Sequence, residues 1–221
     1  QKIAVESAVE SAVGTSSKVL NATDLRSALF EGVDPIHLNL PEVTVKFLEQ
    51  WKRGKKYQEL CEEAKFIKAY KKSWESAPYA PIFVTVDACV VQSGHIALIQ
   101  RRDNPGKDLW ALPGGFLNPN EKIFDACVRE LIEETGMKIP EQVLRGSRVA
   151  SEVFDDPSRS ERGRTVTHAF TFQLKDSLEL PRIKGQDDAK KAKWFQISEI
   201  IEMRDQMYED HYFIIKNLMG F

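Results

Sequence analysis

Gly115-Phe116-Leu117-Asn118-Pro119-Asn120-Glu121-Lys122-Ile123-Phe124-Asp125-Ala126-Cys127-Val128-Arg129-Glu130-Leu131-Ile132-Glu133-Glu134-Thr135-Gly136-Met137 is the stretch on which the reading of this chain turns. Asn120 is a residue type that caps a helix, here one starting near Glu121. Gly136 stands where a helix C-terminus favours a residue without a Cβ, and Pro140 follows it. Between them Phe124, Cys127, Val128, Leu131, Ile132 and Thr135 recur at helical spacing and predict one buried stripe. Glu130, Glu133 and Glu134 stand at i, i+3 and i+4, so their carboxylates converge on the adjoining face. Three crowded anions repel one another, and a hard divalent cation such as Mg²⁺ or Mn²⁺, which takes oxygen ligands, would relieve that repulsion. Arg129 and Glu121 flank the cluster and are expected to pair, fixing the preceding loop against the helix. A bare Glu-Xaa-Xaa-Glu-Glu is more often a solvated helix face, so the flanks have to decide.

Upstream, Ile82 to Val91 is rich in β-branched and aromatic residues, and Ser93-Gly94 turns it into Ile96-Ala97-Leu98-Ile99, a hairpin pattern. Arg101 and Arg102 end the second strand, and a Pro/Gly loop over 103–108 leads to Trp110-Ala111-Leu112-Pro113-Gly114-Gly115. The paired glycines let backbone approach a metal or a phosphate closely. Downstream, 143–154 reads as a strand. The loop over 155–164 carries three arginines, of which Arg162 and Arg164 offer guanidinium forks that match phosphate oxygens. In 165–174, Val166, His168, Phe170, Phe172 and Leu174 share one face. His168 is there either a core-edge histidine or a substrate-facing group. Asp187 and Asp188 precede a last strand over 192–195, where they either face the site or lie in a solvated loop. Ile197-Ser198-Glu199 starts one helix, and the run from Tyr208 to Ile215 the closing one.

The N-terminal part reads differently. Residues 6–9 and 10–13 repeat Glu-Ser-Ala-Val. Asn21 or Thr23 would cap a short helix containing Leu25, Leu29 and Phe30, with Arg26 in its first turn beside free N–H groups. From Pro41 to Ser76 the spacing is helical, with Val43, Phe47, Leu48 and Trp51 on one face and a basic break at 52–56. Two prolines in 77–81 mark the domain boundary. The chain has 221 residues, 42% hydrophobic and 29% charged, with a net charge of −2. That composition is globular, with no general attraction to nucleic acid or a membrane surface. No apolar run approaches the roughly 18 residues of a membrane span. Cys61, Cys89 and Cys127 lack metal-ligand spacing and suit a reducing, cytoplasmic compartment. The sequence opens on Gln rather than Met, as a fragment or processed chain would.

The opening stretch matches Gly-x5-Glu-x7-Arg-Glu-aliphatic-x-Glu-Glu-x-Gly-aliphatic at every defined position, and so resembles the Nudix hydrolases. The resemblance implies an α/β fold: a Nudix α/β/α sandwich with a mixed sheet over 77–221. It also implies metal-assisted cleavage of a diphosphate linked to a nucleoside. The segments 83–88, 111–116, 162–168, 187–189 and 208–211 resemble the ADP-ribose pyrophosphatase half of bifunctional nicotinamide-mononucleotide adenylyltransferase/Nudix proteins. Thr23-Asp24-Leu25-Arg26 resembles the Ser/Thr-x-x-Arg element near the end of their adenylyltransferase domain. Residues 1–76 would then be a remnant of that domain with connecting helices. The His-x-x-His or His-x-Gly-His of that chemistry is missing, so transferase activity of this chain is not expected.

By the same resemblance, Glu130, Glu133 and Glu134, with the Gly114 carbonyl, would hold Mg²⁺ or Mn²⁺. Those glutamates and Arg129 would be catalytic. Arg102, Gly115, Arg162, Arg164, His168 and Asp188 would bind substrate. A box carboxylate, Asp187 or Asp188 would take the proton of the attacking water. The substrate would be ADP-ribose and the products AMP and ribose 5-phosphate, a step of NAD metabolism, with a homo-oligomer left open. Two alternatives stand: a Nudix enzyme of other nucleotide specificity, and an ADP-ribose-binding regulator without turnover.

Overall fold

The structure is a computed structural model that describes residues 21–221. The repeat at 6–9 and 10–13 lies outside the described residues. The chain divides into two compact units, one ending at Ala69 and the other running from Tyr70 to Phe221.

The first unit is helical where described. Helix α1 (Ala22–Phe30) is capped by Asn21, whose side chain accepts from the Asp24 N–H at 2.9 Å. A 3₁₀ turn (Pro35–Leu38) leads to α2 (Glu42–Lys52), and α3 (Lys55–Ser73) begins beyond the basic break. Leu25, Leu29, Leu38 and Leu48 form the core. The Tyr57 hydroxyl donates to the Leu29 carbonyl at 2.6 Å. Of the stripe expected on α2, only Leu48 is buried: Val43 is 81% and Phe47 52% exposed. Arg26 bonds back to Thr23 Oγ1 at 3.4 Å.

The second unit is a mixed seven-stranded sheet between two helical layers. Its strands are β1 (Phe83–Gln92), β2 (His95–Arg101), β3 (Trp110–Ala111), β4 (Gly114–Phe116), β5 (Arg148–Phe154), β6 (Thr165–Gln173) and β7 (Ala189–Gln196). The order is β3-β2-β1-β6-β5, with β4 on β1 and β7 on β2. β1 and β6 run parallel and the other pairs antiparallel. Ser93 and Gly94 both take positive φ, which suits the two-residue turn of a right-twisted hairpin.

Helices α4 (Ile123–Thr135) and α5 (Glu141–Gly146) cover one face, where Val86, Ala88 and Val90 meet Ala126, Cys127, Val128 and Leu131. The short α6 (Ile197–Ile200), a 3₁₀ turn (Ile201–Gln206) and α7 (His211–Met219) cover the other. There Cys89, Ile96 and Leu98 pack on Ile200, Ile214 and Ile215. Both faces being covered, β6 is buried on both: Thr165, Thr167 and Thr171 are buried as well as Phe170 and Phe172.

Two local expectations are corrected. The main helix starts at Ile123 with Lys122 as cap, not at Glu121 with Asn120. Glu121 accepts from the Asn118 N–H at 2.7 Å and from Arg129, so its side chain organises the loop instead. The run from Val143 is not yet strand, because Pro140 opens α5 and the strand begins at Arg148. Proline is favoured at a helix start, where its missing N–H costs nothing.

Candidate active site

Helix α4 ends against β4, and the junction is made by acids meeting glycines. Glu134 is 5% exposed, and its Oε2 accepts from the Gly114 N–H at 2.8 Å. Burial, with Glu130 and Asp87 nearby, pushes the Glu134 carboxyl up to about 8, against the pull of the Gly114 N–H and Arg101. Glu130 lies over Gly115 so closely that a Cβ there would stand 2.5 Å from Glu130 Oε1. Burial raises the Glu130 carboxyl too, Arg129 lowers it, and Glu133 and Asp187 add to the rise. Glu133 is the exposed member of the set.

Arg129 is the hub of this corner. It forks onto both Glu121 oxygens at 2.9 and 2.6 Å, and its Nη1 donates to Glu130 at 2.8 Å and Glu133 at 2.9 Å. It also reaches the Phe116 carbonyl. Its pairing holds Glu121 down to about 2. With every arm engaged, Arg129 positions the acids and the preceding loop.

A second tie comes from the loop before β7. The Lys184 and Gln186 N–H groups donate to the Thr135 and Glu134 carbonyls at 2.8 and 3.0 Å. The Gln186 side chain fills the space over Gly136, where a Cβ would meet its Nε2 at 2.8 Å. Gly136 itself takes φ 59°, the left-handed C-cap that glycine favours. This docking brings Asp187 into the electrostatic neighbourhood of Glu130.

The donor set here is all oxygen and mutually repelling, which suits a hard divalent cation. Among the described residues, however, no group of three or more His, Cys, Asp or Glu side chains stands at metal-holding geometry. Arg129 occupies the space between Glu130 and Glu133. The chemistry fits the ion, and Arg129 engages one oxygen of each of these two glutamates, leaving the second oxygen of each without a bond to it.

On the other side of β4 opens a small, partly open cleft of about 50 Å³. Its walls include Asp87, Phe116, Arg101, Arg162, Glu209 and His211. Asp87 is fully buried, accepts from the Thr167 hydroxyl, and has its carboxyl pushed up by that burial. Gly114 makes room for it: a Cβ would lie 2.7 Å from Asp87 Oδ1 and 2.1 Å from the Val86 carbonyl oxygen. His211 accepts from the Leu112 N–H through Nδ1 at 3.1 Å, and burial drives its pKa down to about 3. Neutral imidazole is the form able to accept there. Arg159, also on the cleft, forks onto Asp210 at 2.9 and 2.9 Å and pins the 155–164 loop to the start of α7.

The expected substrate residues divide. Gly115 and Arg162 line the cleft, as does Gly114, expected as a metal ligand. Arg102 donates to the Ala189 carbonyl at 3.2 Å, and Arg164 to the Asp155 carbonyl. Asp188 accepts from the Arg102 N–H through its own carbonyl at 3.0 Å, with its side chain exposed. His168 sits on β6 between Val86 and Val153, half-buried. None of these four lines the cleft. Asp87, Arg101, Arg159, Tyr208, Glu209 and His211 do, without having been expected. Asp87 had a signal, a lone acid inside an apolar strand.

Among the described residues, no helix is long and apolar enough to cross a membrane. The NUDIX domain model matches residues 81–218. An ADP-ribose pyrophosphatase of Methanocaldococcus jannaschii is 31% identical over 166 residues, 75% of this chain and 86% of that one. An ADPR responsive transcriptional repressor of Acinetobacter baylyi is 36% identical over 67% of this chain and 56% of its own. A Francisella tularensis bifunctional NMN adenylyltransferase/ADP ribose pyrophosphatase, solved with AMP and a manganese ion, superposes with TM-score 0.86 at 41% identity. That superposition covers 94% of this chain but 63% of the Francisella one, so the chain spans less than two thirds of it. The sheet between two helical layers, the acid-bearing helix seated on paired glycines and the extent of these matches together place the chain in the Nudix family of hydrolases.

Proposed function

We propose that this chain hydrolyses the phosphoanhydride of ADP-ribose to AMP and ribose 5-phosphate. The carrying observation is that Gly114 and Gly115 bring the buried Glu134 and the partly buried Glu130 against an arginine-lined cleft. The names of the Methanocaldococcus and Francisella relatives support the substrate. Glu130, Glu133 and Glu134, with the Gly114 carbonyl, would hold Mg²⁺ or Mn²⁺, which supplies charge against the diphosphate and a more acidic water. Arg101 and Arg162 face the cleft and neutralise the substrate phosphates. Arg129 keeps the acids and the loop before α4 in register. A box carboxylate, or Asp187 in the loop docked on α4, accepts the water proton.

We read residues 1–76 as the remnant of an adenylyltransferase-like domain, since the superposition on the bifunctional protein extends over 94% of this chain. The full-length relative would join NMN adenylyl transfer to ADP-ribose breakdown, within NAD metabolism. Three cysteines without a disulfide suit the cytoplasm.

The test is incubation of the purified chain with ADP-ribose and Mg²⁺ or Mn²⁺, with products separated by chromatography. AMP and ribose 5-phosphate in equal amounts, abolished by a chelator, is the expected result. Binding of ADP-ribose without turnover would overturn it in favour of a sensor like the Acinetobacter repressor. Preference for another nucleoside diphosphate would overturn the substrate alone.

A further inference from the structure

We propose that the cleft between β4 and the turn before α7 is a sugar-phosphate subsite: Arg101 and Arg162 meet a phosphate, and Glu209 accepts from the vicinal hydroxyls of a ribose. This rests on the reading of the chain as an ADP-ribose hydrolase and assigns one half of that substrate to one side of β4.

The lining argues against a nucleobase. A purine is held by an open aromatic face. Of the two rings at the cleft Tyr208 is covered, and Phe116, though 36% exposed, already carries a cation and a second ring. The Arg162 guanidinium stands 4.9 Å from the Phe116 centroid, and the Phe83 ring meets Phe116 edge-on at 5.8 Å. The Arg101 guanidinium lies 4.1 Å from the Tyr208 centroid, and Tyr208 is 3% exposed. What the cleft offers instead is charge. Arg162 Nε is buried with no hydrogen-bond partner, a donor aimed at something the protein itself does not supply. Arg101 uses its Nε on the Pro105 carbonyl at 2.7 Å, which fixes the plane of its guanidinium at the cleft.

Glu209 supplies the acceptor. It is half-buried on the cleft wall and takes φ 42°, left-handed backbone that a non-glycine residue seldom adopts. Such a conformation persists where surrounding structure imposes it, and the buried Arg159–Asp210 fork one residue away does so. A carboxylate has two oxygens at the spacing of adjacent hydroxyl groups, as in the acid that reads a ribose diol in dinucleotide sites. Burial pushes the Glu209 carboxyl up, and Arg162, the strongest opposing charge, pulls it back towards the ionised form, so acceptor and phosphate-binding cation sit side by side.

The experiment measures product inhibition of the Mg²⁺-loaded enzyme by ribose 5-phosphate, 2-deoxyribose 5-phosphate and AMP, for wild type, E209Q and R162A. Both variants should raise KM for ADP-ribose and weaken inhibition by ribose 5-phosphate by about tenfold or more, leaving AMP inhibition unchanged. Wild type should prefer ribose 5-phosphate over its 2-deoxy analogue, and E209Q should lose that preference while R162A keeps it. Loss of AMP inhibition instead would assign the cleft to the nucleotide half. Unchanged inhibition by either product would abolish the subsite. Should wild type not hydrolyse ADP-ribose, calorimetric titration of ribose 5-phosphate into wild type, E209Q and R162A still decides: heat absent in all three, or equal in all three, refutes the subsite. Melting curves separate misfolding from loss of contact.

Discussion

Replacing Glu134 by Gln should stabilise the metal-free protein while disabling it. The side chain is 5% exposed and its carboxyl is pushed up to about 8, so the folded protein holds a proton there that the unfolded chain releases near the ordinary 4.5. Across that window the folded state binds more protons, so this group's contribution to stability falls as pH rises from 4.5 to 8. At pH 7 the cost approaches about 3 kcal/mol, from roughly 1.4 kcal/mol per pH unit over the interval above the unfolded value. Gln keeps the shape, and its Oε1 still accepts from the Gly114 N–H now bonded to Glu134. The chelator-treated variant should therefore melt above wild type at pH 7, by up to ~6–12 °C at 2–4 °C per kcal/mol for a chain this long. The difference should vanish below pH 4.5, where both states of the wild type are protonated. Turnover with Mg²⁺ should fall by about 100-fold or more, since several kcal/mol of charge stabilisation is lost. Differential scanning calorimetry in chelator, run from pH 4 to 8, reads the first effect, and a hydrolysis assay the second. A variant that melts with or below wild type at pH 7 refutes the burial argument. A variant that still turns over refutes the assignment of the site.

Three more outcomes follow from the same geometry. G115A should fold but lose most activity, because its Cβ displaces only the end of Glu130, whereas G114A meets the Val86 carbonyl oxygen and should cost ~1–3 kcal/mol of stability by urea denaturation. R129K should lose the fork onto Glu121 and destabilise by about 1 kcal/mol, with a larger fall in kcat than in affinity for product AMP. H211N should remove an acid-side loss of stability: the folded pKa of about 3 lies below the ordinary 6.5, so the unfolded chain binds the extra proton between them. The wild type should accordingly lose up to about 1.4 kcal/mol per unit relative to H211N as pH falls from 6.5 towards 3, read as a pH series of urea midpoints.

What the sequence shows and hides divides along the chain's own geometry. The acid-bearing helix is legible because its apolar period, its C-terminal glycine and its three glutamates all lie within 23 consecutive residues. The cleft is assembled from β1, β2, β4, the 155–164 loop and the turn at 208–211, and no local period links segments so far apart. Choosing between Arg101 and Arg102 shows the limit well. Side chains alternate along a regular strand, so parity would decide which arginine faces the site. The pairing of β2 with β7 shifts register between Gln100 and Arg101, and that irregularity breaks the alternation at the residue in question. The N-cap is lost for a related reason: Glu121 bonds Arg129 and the Asn118 N–H, a tertiary use that overrides the local preference at Asn120.

The two glycines of β4 then explain why a three-residue strand matters so much. Successive side chains on a strand point to opposite faces. The missing Cβ of Gly114 opens towards Asp87 and the cleft, and that of Gly115 opens towards Glu130 and the acid helix. The backbone of β4 thus separates the Glu130 carboxylate on one side from Asp87 and the cleft on the other. A side chain at Gly114 would collide with the Val86 carbonyl oxygen and Asp87, and one at Gly115 with the Glu130 carboxylate, so both glycines are demanded by sterics before any chemistry is considered.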